Sequence, residues 1–241
     1  RILGVLQLIN SMNNGRVQAF TPSMARYVGR MVMLAGNSLE RARMANDLIL
    51  RMLRTASLRD PRETASHVRR VGAMAAEIYP RWAEKHGLLS DEIRAAKGRL
   101  RLAAMLHDVG KVGIPDAILK KPGRLTPEER KVMEKHAVMG ARLFENATQD
   151  VDVLAYTIAL HHHQRWDGKG YTGSPEHPLL AATDIPLAAR ITAIADVYDA
   201  LISRRCYKEA WDVKDAVDIL RQDAGSHFDP ELVDVFMEIH D

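Results

Sequence analysis

The sequence is poor in cysteine, in aromatic residues and in long apolar runs. Its one cysteine, Cys206, excludes an intramolecular disulfide framework and a cysteine-based zinc site, which favours a reducing, cytoplasmic compartment. No run approaches the roughly 18 uncharged apolar residues of a membrane span. There is no basic tract, and a net charge of +3 does not indicate binding to a nucleic-acid polymer. The sequence starts at Arg1 and shows no signal peptide, so we expect it to be a fragment of a longer protein.

What the sequence does contain favours helices. Aromatic residues make up 5% of the chain, while alanine, leucine, methionine and arginine dominate long amphipathic stretches. This composition predicts an all-α body. One exception is the apolar run over residues 2–10, which is followed by Asn13-Asn14-Gly15. That pattern predicts a strand and then a turn.

A long helix is predicted to begin at Thr21-Pro22 and to run to Arg54, because a capping hydroxyl precedes a proline at the first helical position. Its apolar and small residues form a heptad seam of about 45 Å. The seam consists of Met24, Val28, Met31, Ala35, Ser38, Ala42, Ala45, Ile49 and Met52. Two interpretations stay open: a parallel homodimer stalk, or a terminal helix packed on its own domain.

Residues 55–241 are predicted to form a series of further helices. Their expected starts carry capping residues or proline, and a glycine-rich loop over 168–184 is a candidate substrate lid. The first predicted helix begins at Asp60-Pro61, and the second runs from Ser90-Asp91 to His107. A third begins at Thr126-Pro127, where Glu129 completes a capping box. The last two run from about residue 151 to about 163, and from Pro186 to about Ser203.

Histidine and aspartate residues carry the chemistry of this sequence. His107-Asp108 ends an apolar helix, and the pair His162-His163 follows His161. Asp196 lies in an apolar stretch, where an unpaired carboxylate would be costly to bury. His67 and His136, each taken alone, are more simply explained as ordinary structural histidines. Together, imidazole and carboxylate groups without thiolate suit Fe, Mn, Co, Ni or Zn.

These residues occur in an order that resembles the HD-GYP phosphodiesterases, a branch of the HD metal-dependent phosphohydrolases. The resemblance implies an HD-superfamily helical bundle over residues 55–241. The matching segments are Leu106 to Asp116, Leu119 to Thr126, His136, His162 to Tyr171, and Ala195 to Leu201. Upstream, residues 4–10, Phe20-Thr21 and the long helix over 21–54 resemble the end of a GAF sensory domain, whose last strand and loop would be residues 1–20.

The resemblance also implies a set of metal ligands. Ligands common to HD enzymes would be His67, His107, Asp108 and Asp196. A second metal would be held by His136, His162 and His163, with Asp108 as the bridge between the two ions. Two consecutive histidine ligands fit best where a helix ends and the side chains can diverge. Fe or Mn is expected first, with Zn, Ni or Co as alternatives.

Glu63 has two interpretations. Family members with three metals have a glutamate four residues before the first histidine, as Glu63 stands before His67, and on a helix this spacing puts both on one face. Asp60 to Glu63 is alternatively a capping box, in which Glu63 would tie down a helix start. We favour the metal interpretation, and with it two or three divalent ions.

The resemblance implies hydrolysis of cyclic-di-GMP by a hydroxide bridging two metals, stopping at pGpG or continuing to GMP, under control of an upstream sensor. Asp108 and Lys111 would serve catalysis. The residues expected to bind phosphate are Lys111, Arg190, Arg205 and Lys208. Thr172 and Gln164 replace the usual proline and glutamate, and Cys206 replaces another proline. The alternative is a catalytically weak, metal-binding regulator that contacts a protein partner through Gly170-Tyr171-Thr172.

Overall fold

The computed structural model describes residues 6–9, 11–13, 16–59, 64–203 and 211–240. It divides into two compact units, Arg1–Met52 and Leu53–Asp241. The described chain is mostly helical, which confirms the predicted all-α class. Its helices are α1 Pro22–Arg59, α2 Ala65–Lys85, α3 Ser90–Ala104, α4 Asp116–Leu119, α5 Pro127–Glu134, α6 His136–Arg142, α7 Asp150–His161, α8 Leu187–Ile202, α9 Val213–Gln222 and α10 Pro230–His240.

The first unit opens with a small hairpin. Strands β1 (Ser11–Asn13) and β2 (Arg16–Gln18) pair antiparallel, with Ser11 opposite Gln18 and Asn13 opposite Arg16. The strand predicted over residues 2–10 is wrong where the chain is described, because residues 6–9 lie outside both strands. Ile9 is 72% exposed, so this apolar run lacks the packing that stabilises a strand.

Helix α1 begins at Pro22, as predicted, but continues to Arg59 and so ends five residues beyond Arg54. The predicted heptad seam is largely uncovered in the described chain: Met31 is 52% exposed and Met52 is 53% exposed. No described helix has the length and apolar character that crossing a bilayer would require.

In the second unit, helices α2, α5 and α9 start after a residue whose side chain accepts a hydrogen bond from the first turn. Thr126 and Glu129 form the predicted capping box, since the Glu129 amide donates to the Thr126 hydroxyl at 3.3 Å and the Thr126 amide donates to Glu129 Oε2 at 2.8 Å. Helix α2 begins at Ala65, where the Thr64 hydroxyl accepts from the His67 amide, while the predicted start at residues 60–61 lies outside the described residues. Helix α3 ends at Ala104 rather than at the predicted His107.

The core of the second unit lies among α2, α3, α7 and α8, which pack against one another. On α2 the buried side chains recur at steps of four and three, as an amphipathic helix requires. Many core residues are alanines, and their small side chains let the helix backbones come close. The fully buried hydrophobic members on these helices are Val71, Ala75, Ile78, Ala83, Ala103, Ala104, Ala155, Ile158, Ala159, Ala189, Ile191, Ile194 and Ala195.

Among the described glycines, Gly110, in the 3-10 turn Val109–Gly113, leaves the least room for a side chain. A Cβ atom added there would lie 1.9 Å from the His136 carbonyl oxygen and 2.3 Å from the Gly140 amide nitrogen. No side chain fits at these distances, so glycine is required for the turn to pack against α6. This packing sets the distance between Asp108, just before the turn, and His136, at the start of α6.

Replacing Gly110 with alanine should lower the free energy of unfolding by about 3 kcal/mol, because the added methyl group meets backbone atoms that do not move independently. The matched control is Gly98→Ala in α3, where nothing lies within 4 Å of the added Cβ. That control should raise stability by about 0.5–1 kcal/mol through helix propensity. Urea unfolding followed by circular dichroism measures both; equal stability of the two variants would contradict the packing described.

Candidate metal centre

Seven of the eight predicted metal ligands come together in the second unit. They form two groups, and within each group one ligand atom per residue lies within 4.8 Å of the others. The first group is Asp108, His136, His162 and His163, and the second is His67, His107 and Asp196. The eighth predicted ligand, Glu63, lies outside the described residues. Both interpretations of Glu63 therefore stay predictions.

The histidines of this centre are placed by the ends of helices. His67 lies in the first turn of α2, and His136 is the first residue of α6. Helix α7 ends at His161, so His162 and His163 lie at and beyond its last turn. This is the helix end that the sequence predicted for two consecutive ligands, and their ring centroids are 3.9 Å apart. His107 follows the end of α3, and Asp196 lies within α8.

Asp108 faces both groups with a different oxygen. Its Oδ1 lies 2.9 Å from Nε2 of His136 and 3.6 Å from Nε2 of His162, whereas its Oδ2 lies 3.3 Å from Nε2 of His107. In the second group, Asp196 Oδ1 is 3.8 Å from the same His107 atom. The Asp108 carboxylate therefore joins the two groups, which is the geometry of a ligand shared by two ions.

Three of the imidazoles are oriented by backbone carbonyl groups. In each, Nδ1 lies within hydrogen-bonding distance of a carbonyl oxygen three or four residues earlier. A carbonyl accepts, so Nδ1 carries the proton and Nε2 presents its lone pair to the centre. The three bonds run from His107 to Ala104 at 2.9 Å, from His136 to Met133 at 2.7 Å and from His162 to Ile158 at 3.0 Å.

His67 is oriented by a side chain instead. Its Nδ1 donates to Asp199 Oδ2 at 2.7 Å, and the same carboxylate accepts from Arg70 and from the Ser203 hydroxyl at 3.2 Å. Asp199 is completely buried. The sequence analysis assigned it no role, although Asp199 follows Asp196 by three residues in an apolar helix, the spacing that places two side chains on one face. An unpaired carboxylate is costly to bury, and this argument, which we used for Asp196, holds equally for Asp199.

Charges in the centre suit metal binding. Burial raises the pKa of Asp108, but the Lys111 ammonium and then the His107 imidazole outweigh burial and hold that pKa well below its usual range. Burial raises the pKa of Asp196, but the neighbouring His67 and His107 rings outweigh burial and lower that pKa. Burial lowers the pKa of His162 and of His163. Ionised carboxylates and neutral imidazoles are the forms that coordinate metals.

Two atoms at the point where the groups meet show that a cation fits. Asp108 Oδ1 and His162 Nε2 are buried, and neither forms a hydrogen bond within the described part of the chain. Both present lone pairs, 3.6 Å apart, so a positive charge between them would satisfy both. Imidazole nitrogens and carboxylate oxygens are ligands of first-row divalent metals. The centre is therefore able to bind divalent metal ions.

The predicted phosphate-binding residues differ in their surroundings. Lys111 is 22% exposed and its ammonium contacts Asp108, at the edge of the centre. The Arg190 guanidinium is engaged elsewhere: it pairs with the buried Asp229, donates to the Ile185 carbonyl at 2.8 Å and lies over the Trp166 ring. These contacts tie α8 to the start of α10. Arg205 and Lys208, with Cys206, lie outside the described residues.

The loop over 168–184 is attached to the centre at several points. The Tyr171 ring stacks on His163 with centroids 4.6 Å apart. The Gln164 carboxamide accepts from the Leu180 amide at 2.6 Å. The buried Thr172 hydroxyl lies 3.0 Å from the Ser174 carbonyl oxygen and 3.1 Å from the His177 carbonyl oxygen, both within the loop. The loop as a surface for a protein partner stays a prediction.

Replacing Asp199 with asparagine should lower the affinity for Mn²⁺ by about 10–100-fold, because the amide cannot hold the His67 ring with a full negative charge. The control is Ser203→Ala, which removes one 3.2 Å hydrogen bond to the same carboxylate and should change affinity by about threefold or less. Isothermal titration with Mn²⁺ measures both. Wild-type affinity in Asp199→Asn would show that His67 does not depend on this carboxylate.

Comparison with known proteins adds three relatives. A probable cyclic di-GMP phosphodiesterase of Vibrio cholerae is 42% identical over 237 residues, covering 94% of this chain and 51% of that protein. The cyclic di-GMP phosphodiesterase of Thermotoga maritima is 37% identical, covering 79% and 48%. The V. cholerae 3'3'-cGAMP-specific phosphodiesterase 2 is 41% identical, covering 73% and 31%. The chain thus spans a third to a half of the length of these relatives.

A solved structure shares the fold. The crystal structure of a cyclic GMP-AMP specific phosphodiesterase from V. cholerae superposes with a TM-score of 0.54 at 17% identity, covering 80% of this chain and 48% of that one. The sequence matches the HD domain family over residues 53–232, a range that contains both groups of ligands. The chain therefore belongs to the HD domain family.

Proposed function

We propose that the protein is a divalent-metal-dependent phosphodiesterase that hydrolyses cyclic-di-GMP to linear pGpG. The observation that carries the proposal is the Asp108 carboxylate, which faces one group of ligands with each oxygen. Two divalent cations held beside a shared ligand are a common catalyst for phosphodiester cleavage. The names of two of the relatives, both cyclic di-GMP phosphodiesterases, support the substrate.

Each group of ligands would hold one cation. The first cation would be held by His136, His162, His163 and Asp108 Oδ1. The second would be held by His67, His107, Asp196 and Asp108 Oδ2. When bound, the cations supply Lewis acidity toward phosphate oxygens and an activated water. We favour Fe or Mn, since the ligands are nitrogen and oxygen without sulfur. A third ion at Glu63 stays part of the proposal.

Lys111 would serve the substrate. In the described structure its ammonium contacts Asp108 Oδ2, at the junction of the two groups, and its side chain is partly exposed. A phosphate oxygen that reached this junction would meet the ammonium as a point charge, stabilising negative charge that develops on the phosphoryl group. Arg205 and Lys208 are proposed to bind the other phosphate. Arg190 would have to leave Asp229 to do so, and its buried pair makes a structural role the simpler one.

The test is to incubate Mn- or Fe-loaded protein, under reducing and anaerobic conditions, with cyclic-di-GMP and to follow pGpG by chromatography. Asp108→Asn should lower kcat by about 10³-fold or more and reduce bound metal, because both groups lose their shared charge. Elemental analysis measures the metal. The control is Asp91→Asn, an exposed carboxylate paired with Arg94, which should keep rate and metal content.

Full metal content and rate in Asp108→Asn would show that the site is misassigned. A parallel assay with 3'3'-cGAMP decides between the two substrates named among the relatives. No turnover of either cyclic dinucleotide by metal-loaded protein would contradict the proposal and favour the regulator that binds metal without efficient catalysis.

We also propose that the protein is a homodimer through α1, regulated by a GAF-like sensory domain upstream. The heptad seam supports the dimer, since Met31 and Met52 are about half exposed in the single chain. Met31→Lys should weaken dimerisation by about tenfold or more, because a charge would enter the seam. Light scattering over a concentration series measures this, with Asn37→Lys, outside the seam, as the control. A monomer at every concentration of wild-type protein would contradict the dimer.

A further inference from the structure

Arg59, the last residue of α1, makes three contacts with the segment that follows Asp108 along the chain. Its Nε donates to Asp116 Oδ1 at 2.9 Å, and its Nη2 donates to the Ile114 carbonyl oxygen at 2.9 Å. Its Nη1 donates to the Val112 carbonyl oxygen. One guanidinium thus binds two backbone carbonyls and one carboxylate within five consecutive residues.

The two carbonyl groups lie at the end of the 3-10 turn Val109–Gly113. Carbonyls at the end of a helical turn have no partner within it and need a donor from elsewhere, which Arg59 supplies. The turn itself connects directly to the centre: the Ile114 amide donates to the Lys111 carbonyl at 3.1 Å, and the Lys111 amide donates to the Asp108 carbonyl at 3.0 Å. Three hydrogen bonds, through Ile114 and Lys111, therefore link Arg59 to Asp108.

The planar arrangement of N–H donors in the Arg59 guanidinium, its fork, contributes more to these contacts than its charge does. The side chains of Arg59 and Asp116 are 37% and 53% exposed, and an exposed ion pair contributes little to stability. Asp116 has a second cation in any case, because Lys120 donates to its Oδ2 at 2.8 Å. The carbonyl bonds, by contrast, need donors in a fixed plane with a fixed spacing. Guanidinium provides that geometry and a lysine ammonium does not.

We propose that Arg59 is a positioning residue that couples the last turn of α1 to the turn that carries Lys111 beside Asp108. This inference rests on the proposed function for its catalytic consequence. A displacement of the end of α1 by 1–2 Å, about the size of shifts that switch other helical proteins, would break these hydrogen bonds. Lys111 would then lose its fixed place beside Asp108, so any input that moves α1 would change the rate of hydrolysis.

The test compares four variants by amide hydrogen exchange, kinetics and metal content. Arg59→Lys and Arg59→Gln each break the fork, and should speed exchange in the peptide over residues 109–114 by about tenfold. Both should lower kcat about tenfold with KM changed by about twofold or less, at full metal content. Asp116→Asn keeps the two carbonyl bonds and should show a smaller effect on both readouts. Arg43→Gln, an exposed arginine of the same helix, should match the wild type.

Two outcomes would overturn the coupling. The first is exchange over residues 109–114 in both Arg59 variants equal to that of the wild type. The second is faster exchange with kcat unchanged in an active enzyme, which would leave Arg59 as a structural contact alone. Hydrogen exchange does not depend on turnover. If the wild-type protein hydrolyses no cyclic dinucleotide, the proposed function fails, while the exchange data still decide whether Arg59 holds the turn.

Discussion

The arrangement that the rest of the second unit depends on is a carboxylate surrounded by the lone pairs of imidazoles. Asp108 has His136 and His162 at one oxygen and His107 at the other, all through Nε2. Negative and electron-rich atoms at 2.9 to 3.6 Å are stable together only with positive charge between them, whether protons or cations. Every helix that reaches the centre contributes to keeping these atoms in place, although hydrophobic burial elsewhere supplies the stability.

The fold meets this constraint by ending helices at the centre. Helix α6 begins there and helix α7 ends there, while the 3-10 turn after Asp108 packs against α6 at a distance that excludes even a methyl group. Near the ends of α3, α5 and α7, three carbonyl groups accept from the Nδ1 atoms of imidazoles in addition to a backbone amide. The backbone therefore does two tasks at once, closing the helices and orienting the ligands.

Much of this could be predicted from the sequence, because capping residues and ligand types are local signals. The start of α5 follows from Thr126 and Glu129, and the end of α7 at His161 agrees with the helix end predicted beside the consecutive residues His162 and His163. Features that depend on distant contacts could not be predicted. His67 is held by Asp199, 132 residues away in the chain, and Arg190 pairs with Asp229, 39 residues away. No periodicity reports either contact.

The difference between the two ways of holding an imidazole has a consequence for heritable variation. His107, His136 and His162 are oriented by carbonyl oxygens, which every amino acid possesses, so the residues at 104, 133 and 158 are free to vary as far as this task is concerned. His67 relies on Asp199, and one nucleotide change can remove that group. We therefore expect substitutions at position 199 to impair function more often than substitutions at positions 104, 133 and 158.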